Sequence, residues 1–226
     1  MKTDMLQNTV GGGKPKMFFH FRETTGEFPM VAGQPAPATP EQQQALIDAL
    51  QSDKTKRYKQ LVEEVAVPRP GVLSLMDEAL KDPTIAVGVC SASTKEAAQK
   101  TLQMTIGPDR ISKLDVCILG DDVSEKKPSP LIYQTASSKI GVAPEKCVVI
   151  EDSMIGLQSA KGAGMKCIIT YTDSTAKEDF YGGGADAKVP DLASAQVTLA
   201  SIFDPIRKDG LEASLLEGKK DTPAVV

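Results

Sequence analysis

The sequence predicts an α/β protein with a parallel sheet, preceded by a helical N-terminal part. From about residue 85 onward, short apolar runs alternate with helical patterns. These runs lack the polar/apolar alternation of a sheet with one solvated face, so we expect the sheet to be buried on both faces. Before residue 67 the apolar residues have helical spacing instead.

The predicted strands of this sheet are four short apolar runs: Ile85–Cys90, Asp115–Leu119, Cys147–Ile150 and Lys166–Tyr171. Helical patterns separate them at Thr94–Leu102, Pro130–Ile140 and Met154–Ala163. Strands joined through helices form parallel sheets, with right-handed crossovers that place helices on both faces.

The N-terminal part contains one long amphipathic pattern, Pro40–Val65, in which we expect an interruption near Ser52. The stretch Val67–Gly71 is predicted to be a hinge. We therefore predict a partial helical domain over 1–66, an α/β core over 67–204, and a polar, disordered tail over 205–226.

Composition excludes several classes of protein. A net charge of −4 argues against nucleic acid as the main partner, because phosphate backbones require a basic face. No apolar run approaches the roughly 20 residues of a membrane helix, and the first residues lack the apolar region of a signal peptide. The four cysteines lack zinc-site spacing, so we expect small buried side chains in a soluble, intracellular protein.

Polar residues follow the predicted strands where their carboxyl ends meet at one edge of the sheet. Ser91–Ser93 follow the first strand, Asp121–Asp122 the second and Glu151–Asp152 the third, while Lys127 precedes the second helix. Ligands of parallel α/β sheets bind at this edge. Paired carboxylates suit Mg²⁺, and a lysine beside a hydroxyl suits a phosphoryl group.

Each of these residues also has an ordinary structural explanation. Ser91 could simply end a strand, and Lys127 could be one of 26 solvated basic residues. Glu151–Asp152 could cap the following helix, because acids favour helix N-termini. Asp121–Asp122 could be a turn or a solvated pair. The combination points to phosphoryl chemistry more strongly than any single member.

Three segments resemble motifs of the haloacid dehalogenase (HAD) superfamily of phosphohydrolases. They are Ser91, KKPSPLIY at Lys126–Tyr133, and VVIEDSMIGLQSAKGAGM at Val148–Met165. RPGVLSLMDEA at Arg69–Ala79 and CSASTK at Cys90–Lys95 are similar to the CbbY-like subgroup, which includes xylulose-1,5-bisphosphate phosphatases. The resemblance implies a HAD-like Rossmannoid parallel sheet with an α-helical C1-type cap.

The resemblance also implies roles for particular residues. Ser91 and Lys127 would be catalytic, and Glu151 and Asp152 would bind Mg²⁺. The implied substrate-binding residues are Gly12, Gly13, Lys14, Arg69, Ala92 and Ser93. The implied ligand is a small sugar phosphate, and the implied location is the chloroplast stroma, otherwise the cytoplasm.

The family's first motif, DxDGT after an N-terminal strand, does not occur before the helical part of this sequence. In the family its first aspartate is the nucleophile and its second the general acid/base. By resemblance, we expect the chain to lack that strand, which belongs between the strands ending at Ser91 and Glu151, and part of the cap.

Three functions remain open from the sequence. The first is a Mg²⁺-dependent sugar-phosphate phosphatase that acts through a phosphoaspartate, on xylulose-1,5-bisphosphate or a similar ketose bisphosphate. The second is a non-catalytic, truncated protein that binds a sugar phosphate or a partner. The third is a phosphomutase similar to β-phosphoglucomutase.

Overall fold

The structure, a computed structural model, describes residues 13–31, 33–203 and 224–225. It divides into two compact units, Met1–Val65 and Ala66–Val226. No helix in the described part of the chain is both long and apolar enough to cross a membrane.

The first unit is helical. Helix α1 spans Gly13–Phe19, a π-helical turn spans His20–Thr24, and helix α2 spans Pro40–Val65. A small apolar core is formed by Met17, Phe28 and Ile47. The expected interruption near Ser52 is wrong, because α2 runs through it without a break. Within α2 the only proline is the first residue, Pro40, and there is no glycine, so the helix contains no residue that would break it.

The second unit alternates strands and helices. Its helices are α3 Val72–Ala79, α4 Lys95–Thr105, α5 Pro108–Ile111, α6 Leu131–Ile140, α7 Met154–Gly162 and α8 Leu199–Phe203. Its strands are β1 Ala86–Cys90, β2 Val116–Ile118, β3 Cys147–Glu151, β4 Lys166–Thr170, β5 Ala187–Val189 and β6 Ala224–Val225. A 3₁₀ turn at Pro144–Lys146 leads into β3.

The strands form one sheet in the order β2-β1-β6-β3-β4-β5, and every described pairing is parallel. Fifteen apolar residues, including Ile118, Tyr133, Val149 and Leu157, form one buried cluster. A second cluster includes Leu75, Val148 and Ile168. The neighbours Val148 and Val149 belong to different clusters, so β3 is covered on both faces, as the apolar runs predicted. The α/β fold with a parallel sheet is confirmed.

All four predicted strands and the three helices between them are present, with ends that shift by at most three residues. The prediction missed α3, α5, β5, α8 and β6. Of these, α3 follows directly on the stretch that was interpreted as a hinge, and β5 is only three residues long.

Strand β6 corrects the prediction of a disordered tail. Ala224–Val225 lies between β1 and β3 and pairs with Ala86–Val87 on one side and Cys147–Val148 on the other. An extended pair of residues in this place satisfies backbone groups of both neighbours, which would be costly to bury unpaired. The rest of the predicted tail lies outside the described residues.

Candidate active site

The sequence-predicted residues of the α/β unit meet around one cavity of about 570 Å³ at the carboxyl edge of the sheet. The lining includes the predicted residues Arg69, Ser91, Ala92, Ser93, Lys127, Glu151 and Asp152. The walls also contain residues of both β1 and β3, such as Val89 and Ile150. The convergence predicted from the strand ends is therefore present.

The loop that follows β1 is held by the loop that follows β2. The Ser91 N–H donates to the Ile118 carbonyl at 3.0 Å, and the Gly120 N–H donates to the Ser93 carbonyl at 2.9 Å. A side chain at Gly120 would strike the backbone of this loop, so the two loops can approach only because residue 120 is glycine. The loop with the two serines is thus fixed by backbone contacts.

The carboxylates of Asp121 and Asp122 accept hydrogen bonds from backbone N–H groups near these loops. The Asp121 carboxylate accepts from the Lys95 N–H at the start of α4 at 2.7 Å, which satisfies a free donor of that helix. The Asp122 carboxylate accepts from the Leu119 N–H at 2.8 Å, which lowers the pKa of Asp122. The pair lies in an exposed turn, as the structural alternative predicted, and its carboxylates also hold the loop after β2 and the start of α4.

The ammonium group of Lys127 is buried, with 6% of the residue exposed. It donates to the Cys90 carbonyl at 3.1 Å, to the Tyr133 hydroxyl at 2.8 Å and to Glu151 Oε1 at 2.5 Å. A buried cation needs such partners because losing its hydration is costly. Lys127 is therefore not one of the solvated lysines.

Both carboxylate oxygens of Glu151 are engaged. Oε1 accepts from Lys127 and from the Tyr133 hydroxyl, the latter at 2.6 Å. Oε2 accepts from the Asp152 N–H at 3.2 Å and the Ser153 hydroxyl at 3.4 Å. A Cβ atom at Gly156 would overlap this carboxylate, so glycine in the first turn of α7 leaves the space that Glu151 occupies.

Asp152 differs from its neighbour because none of the described contacts pairs its carboxylate with a cation. The side chain reaches solvent at the cavity mouth but is crowded by protein atoms. This desolvation, together with the charge of Glu151, raises the pKa of Asp152, while Arg69 and Lys127 oppose the shift. Among the described residues, the Asp152 carboxylate therefore lacks a close positive partner.

These two acids fit Mg²⁺. The ion binds oxygen, and one or two carboxylates with waters and substrate phosphate are its usual protein ligands. Asp152 offers a free carboxylate, and Gly156 leaves room for Glu151 beside it. Within the described residues no three acidic, histidine or cysteine side chains cluster as a metal site, and Glu151 and Asp152 are the acids that line the cavity.

The cysteines follow the prediction only in part. Cys147 and Cys167 are buried, whereas Cys117 is exposed because it lies on the outer strand β2. Cys90 lines the cavity, and burial raises the pKa of its thiol to about 12. The Cys90 thiol therefore remains protonated and is a poor nucleophile near neutral pH.

Arg69 lines the cavity, but its terminal N–H groups are used inside the protein. They donate to the Thr170 carbonyl at 2.6 Å, the Tyr171 carbonyl at 2.7 Å and the Pro190 carbonyl at 2.8 Å. The structure therefore gives Arg69 a role that the sequence did not predict, which is to join the ends of β4 and β5. A contact with phosphate remains a proposal.

The other predicted substrate-binding residues belong to the first unit. Gly13 begins α1, and the Lys14 ammonium pairs with Asp48 on α2 at 2.7 Å, with both side chains about half exposed. Gly12 lies outside the described residues.

Comparison with known proteins places the chain in a family. The sequence pattern of the haloacid dehalogenase-like hydrolases matches residues 6–164. The chain belongs to this family. Within it, the chain is 31% identical to the protein CbbY of Rhodobacter capsulatus, covering 81% of this chain and 74% of that protein, which places it in the CbbY-like subgroup.

Two relatives from a plant are matched over only part of their length. A haloacid dehalogenase-like hydrolase domain-containing protein of Arabidopsis thaliana is 46% identical, covering 86% of this chain and 60% of that protein. A CBBY-like protein of the same plant is 40% identical, covering 78% of this chain and 53% of that protein. The chain thus spans between half and two thirds of these plant relatives.

The fold also matches solved structures. CbbY from Rhodobacter sphaeroides in complex with phosphate has a TM-score of 0.70 at 33% identity, covering 88% of this chain and 80% of that chain. A variant of that protein in complex with xylulose-(1,5)bisphosphate has the same TM-score at 32% identity. This agreement confirms the HAD-like fold.

Sequence reasoning missed two residues of the site. Tyr133 contacts both Lys127 and Glu151, and Gly156 leaves the space for the Glu151 carboxylate. Both stand inside segments that were singled out as motifs, but neither a tyrosine nor a glycine suggests phosphoryl chemistry. The one sign of their importance in the sequence was that they lie within these two segments.

Proposed function

We propose that the protein is a Mg²⁺-dependent sugar-phosphate phosphatase. The observation that carries this proposal is the convergence of Ser91, Lys127, Glu151 and Asp152 on one cavity at the carboxyl edge of a parallel sheet. Phosphoryl transfer depends mainly on positioning and on neutralising charge, and a buried lysine beside two acids supplies both. Membership of a hydrolase family supports hydrolysis.

Each residue has a defined task in this proposal. The Ser91 hydroxyl and the backbone N–H groups of its loop would bind the phosphoryl oxygens. Lys127 would neutralise the phosphate. Asp152, with Glu151 beside it, would hold Mg²⁺, which supplies Lewis-acid stabilisation of the phosphoryl charge when bound.

The covalent step needs a nucleophile. In the proposed reaction an aspartate oxygen attacks phosphorus, the bond to the sugar oxygen breaks, and that oxygen takes a proton from a second aspartate, which later recovers a proton from the attacking water. Water then cleaves the phosphoaspartate and releases inorganic phosphate. Among the described lining residues the sole aspartate is Asp152, which is assigned to the metal. We propose that the nucleophile is the first aspartate of a DxDGT motif, which the family resemblance implies and which the described lining residues do not contain.

We propose a ketose bisphosphate such as xylulose-1,5-bisphosphate as the substrate class. Support comes from the relative whose structure contains that compound, at a TM-score of 0.70. A bisphosphate has a second phosphate that must be bound away from the reacting one. Gly12, Gly13, Lys14 and Arg69 remain candidates for that contact.

Release of inorganic phosphate by the native protein tests this function. We expect Mg²⁺-dependent release, with kcat/KM higher for xylulose-1,5-bisphosphate than for a monophosphate such as phosphoglycolate. Substrate binding without phosphate release would instead favour a non-catalytic protein. Turnover that needs a bisphosphate cofactor and yields an isomeric sugar phosphate would favour a phosphomutase.

We also propose a plastid location, because the CBBY-like protein that is 40% identical to this chain comes from a plant. Fractionation of the source tissue, with detection of the native protein by immunoblotting, checks this. Recovery in the cytosolic fraction alone would contradict it.

A further inference from the structure

The hydroxyl of Tyr133 contacts both charged groups at the centre of the candidate site. It accepts from Lys127 Nζ at 2.8 Å and donates to Glu151 Oε1 at 2.6 Å. The residue is 2% exposed, so water does not substitute for these partners. The function proposed above gives Tyr133 no task.

The hydrogen bonds of Lys127 show why this hydroxyl matters. An ammonium group has three N–H donors, and in this structure their acceptors are the Cys90 carbonyl, the Tyr133 hydroxyl and Glu151 Oε1. An incoming phosphoryl oxygen must therefore share or replace one of these acceptors. Tyr133 bonds to both Lys127 and Glu151, so it can hold their relative position while such an exchange takes place.

The position of the hydroxyl is fixed by packing. Tyr133 lies in the first turn of α6, and its ring belongs to the core cluster that also contains Ile132 and Val149. Lys127 Nζ lies 4.6 Å from the ring centroid, a cation–π distance. Burial, then the charge of Glu151, raises the pKa of Tyr133 well above its ordinary value, so the hydroxyl keeps the proton that it donates.

We propose that Tyr133 is a positioning residue, whose hydroxyl holds the Lys127 ammonium and the Glu151 carboxylate in one fixed arrangement for phosphate and metal. This inference rests on the proposed function, because it assumes that Glu151 takes part in metal binding. Groups that orient metal ligands typically contribute about 10–100-fold to metal affinity or activity.

Tyr133→Phe tests the inference, because it removes the hydroxyl and keeps the ring. The probe is Mn²⁺, which oxygen sites of this kind also accept, titrated into the full chain and followed by the electron paramagnetic resonance signal of the free ion. We expect the dissociation constant to rise about 10–100-fold, with the melting temperature close to wild type. In the active protein, kcat should fall more than KM rises.

Tyr171→Phe is the matched control. Tyr171 is a partly buried tyrosine of the same unit that does not line the cavity, and its ring lies 5.3 Å from Lys188 Nζ. This variant should bind Mn²⁺ like the wild type. A second test combines Tyr133→Phe with Glu151→Gln, where the two losses of Mn²⁺ affinity should not add because both act on one carboxylate.

Two results would overturn the inference, and they are distinguishable. If the wild type binds Mn²⁺ and Tyr133→Phe binds it equally well, the positioning role is wrong while the proposed function stands. If the wild type does not bind Mn²⁺ even at millimolar concentration, the metal site of the proposed function fails, and the role of Tyr133 fails with it.

Discussion

Two clusters in the α/β unit contain a partly buried acid paired with lysine. In the first, Glu151 pairs with Lys127 at 2.5 Å, and in the second, Asp186 pairs with Lys161 at 2.7 Å. The acid side chains are 10% and 11% exposed. By pair distance and burial of the acid the two clusters look alike, although the Lys161 side chain is 32% exposed and that of Lys127 only 7%.

Their surroundings differ. Asp186 also pairs with Lys166 at 3.4 Å and accepts from the Cys167 N–H at 2.7 Å, so its charge is balanced within the protein. Glu151 instead borders a cavity and is followed by a second acid, Asp152, for which no cation partner is described. An uncompensated charge beside a cavity, rather than an acid–lysine pair, therefore marks the candidate site.

The largest expected effect separates the two lysines. Lys127→Ala should lower kcat about 10²–10³-fold, the usual loss when a group that stabilises developing charge is removed. Lys161→Ala should leave kcat unchanged and cost less than about 1 kcal/mol of stability, because Asp186 keeps its other partners. Phosphate release and thermal unfolding measure the two effects. Equal activity losses in the two variants would show that the clusters do not differ in function.

The next effect concerns the space beside Glu151. In Gly156→Ala the new methyl group would overlap the carboxylate, so we expect Mg²⁺ affinity to fall about 10–100-fold. Gly162→Ala is the matched control on the same helix, because its Cβ would make an ordinary contact with Pro130 at 3.4 Å. The Mg²⁺ concentration at half-maximal activity measures the effect. Unchanged metal dependence in Gly156→Ala would contradict the assigned role of Glu151.

The Lys14–Asp48 pair of the first unit tests recognition of the second phosphate. Lys14→Ala should raise KM for the bisphosphate about tenfold, equivalent to roughly 1.4 kcal/mol, without changing KM for a monophosphate. Arg57→Ala is the control, since Arg57 forms an exposed pair with Asp53 at 2.8 Å in the same unit. A parallel rise for both substrates would show that Lys14 does not bind the second phosphate.

The last expected effect is on stability, and it has opposite signs in the two clusters. Without metal at pH 7, Asp152→Asn should raise the melting temperature slightly, because a charge that the fold disfavours is removed. Asp186→Asn should lower the melting temperature, because it weakens the ion pairs and hydrogen bond of the Asp186 carboxylate, which are worth about 1–3 kcal/mol. Mg²⁺ should stabilise the wild type but not Asp152→Asn. Calorimetric scans with and without Mg²⁺ check all three, and a lower melting temperature in metal-free Asp152→Asn would contradict them.

The sequence predicted the central part of the fold because that part follows one simple rule. Strands buried on both faces are continuous apolar runs, and Cys147–Ile150 could be recognised from that alone. The short strand β5 was missed because Lys188 stands at its centre. Its ammonium donates to two carbonyls, of Ala176 and Glu178, so a charged residue is satisfied inside a strand.

The candidate site was predictable to the extent that topology determines it. Ser91 follows β1 and Glu151 ends the parallel strand β3, so their meeting required only the fold. Tyr133 was not predictable, because its contact with Glu151 depends on how α6 packs against the sheet and is not set by residue order. The hydrogen bonds of Arg69 could not be predicted either, because its partners lie more than 100 residues away along the chain.

The central claim is that Glu151 and Asp152 hold a metal beside Lys127. Crystals of the protein soaked with Mn²⁺ and inorganic phosphate test it directly, through the anomalous scattering of manganese. We predict an anomalous peak about 2.2 Å from a carboxylate oxygen of Asp152, with phosphate within reach of Lys127. A peak at another acidic cluster, such as Asp186, or no peak at all, would contradict the account.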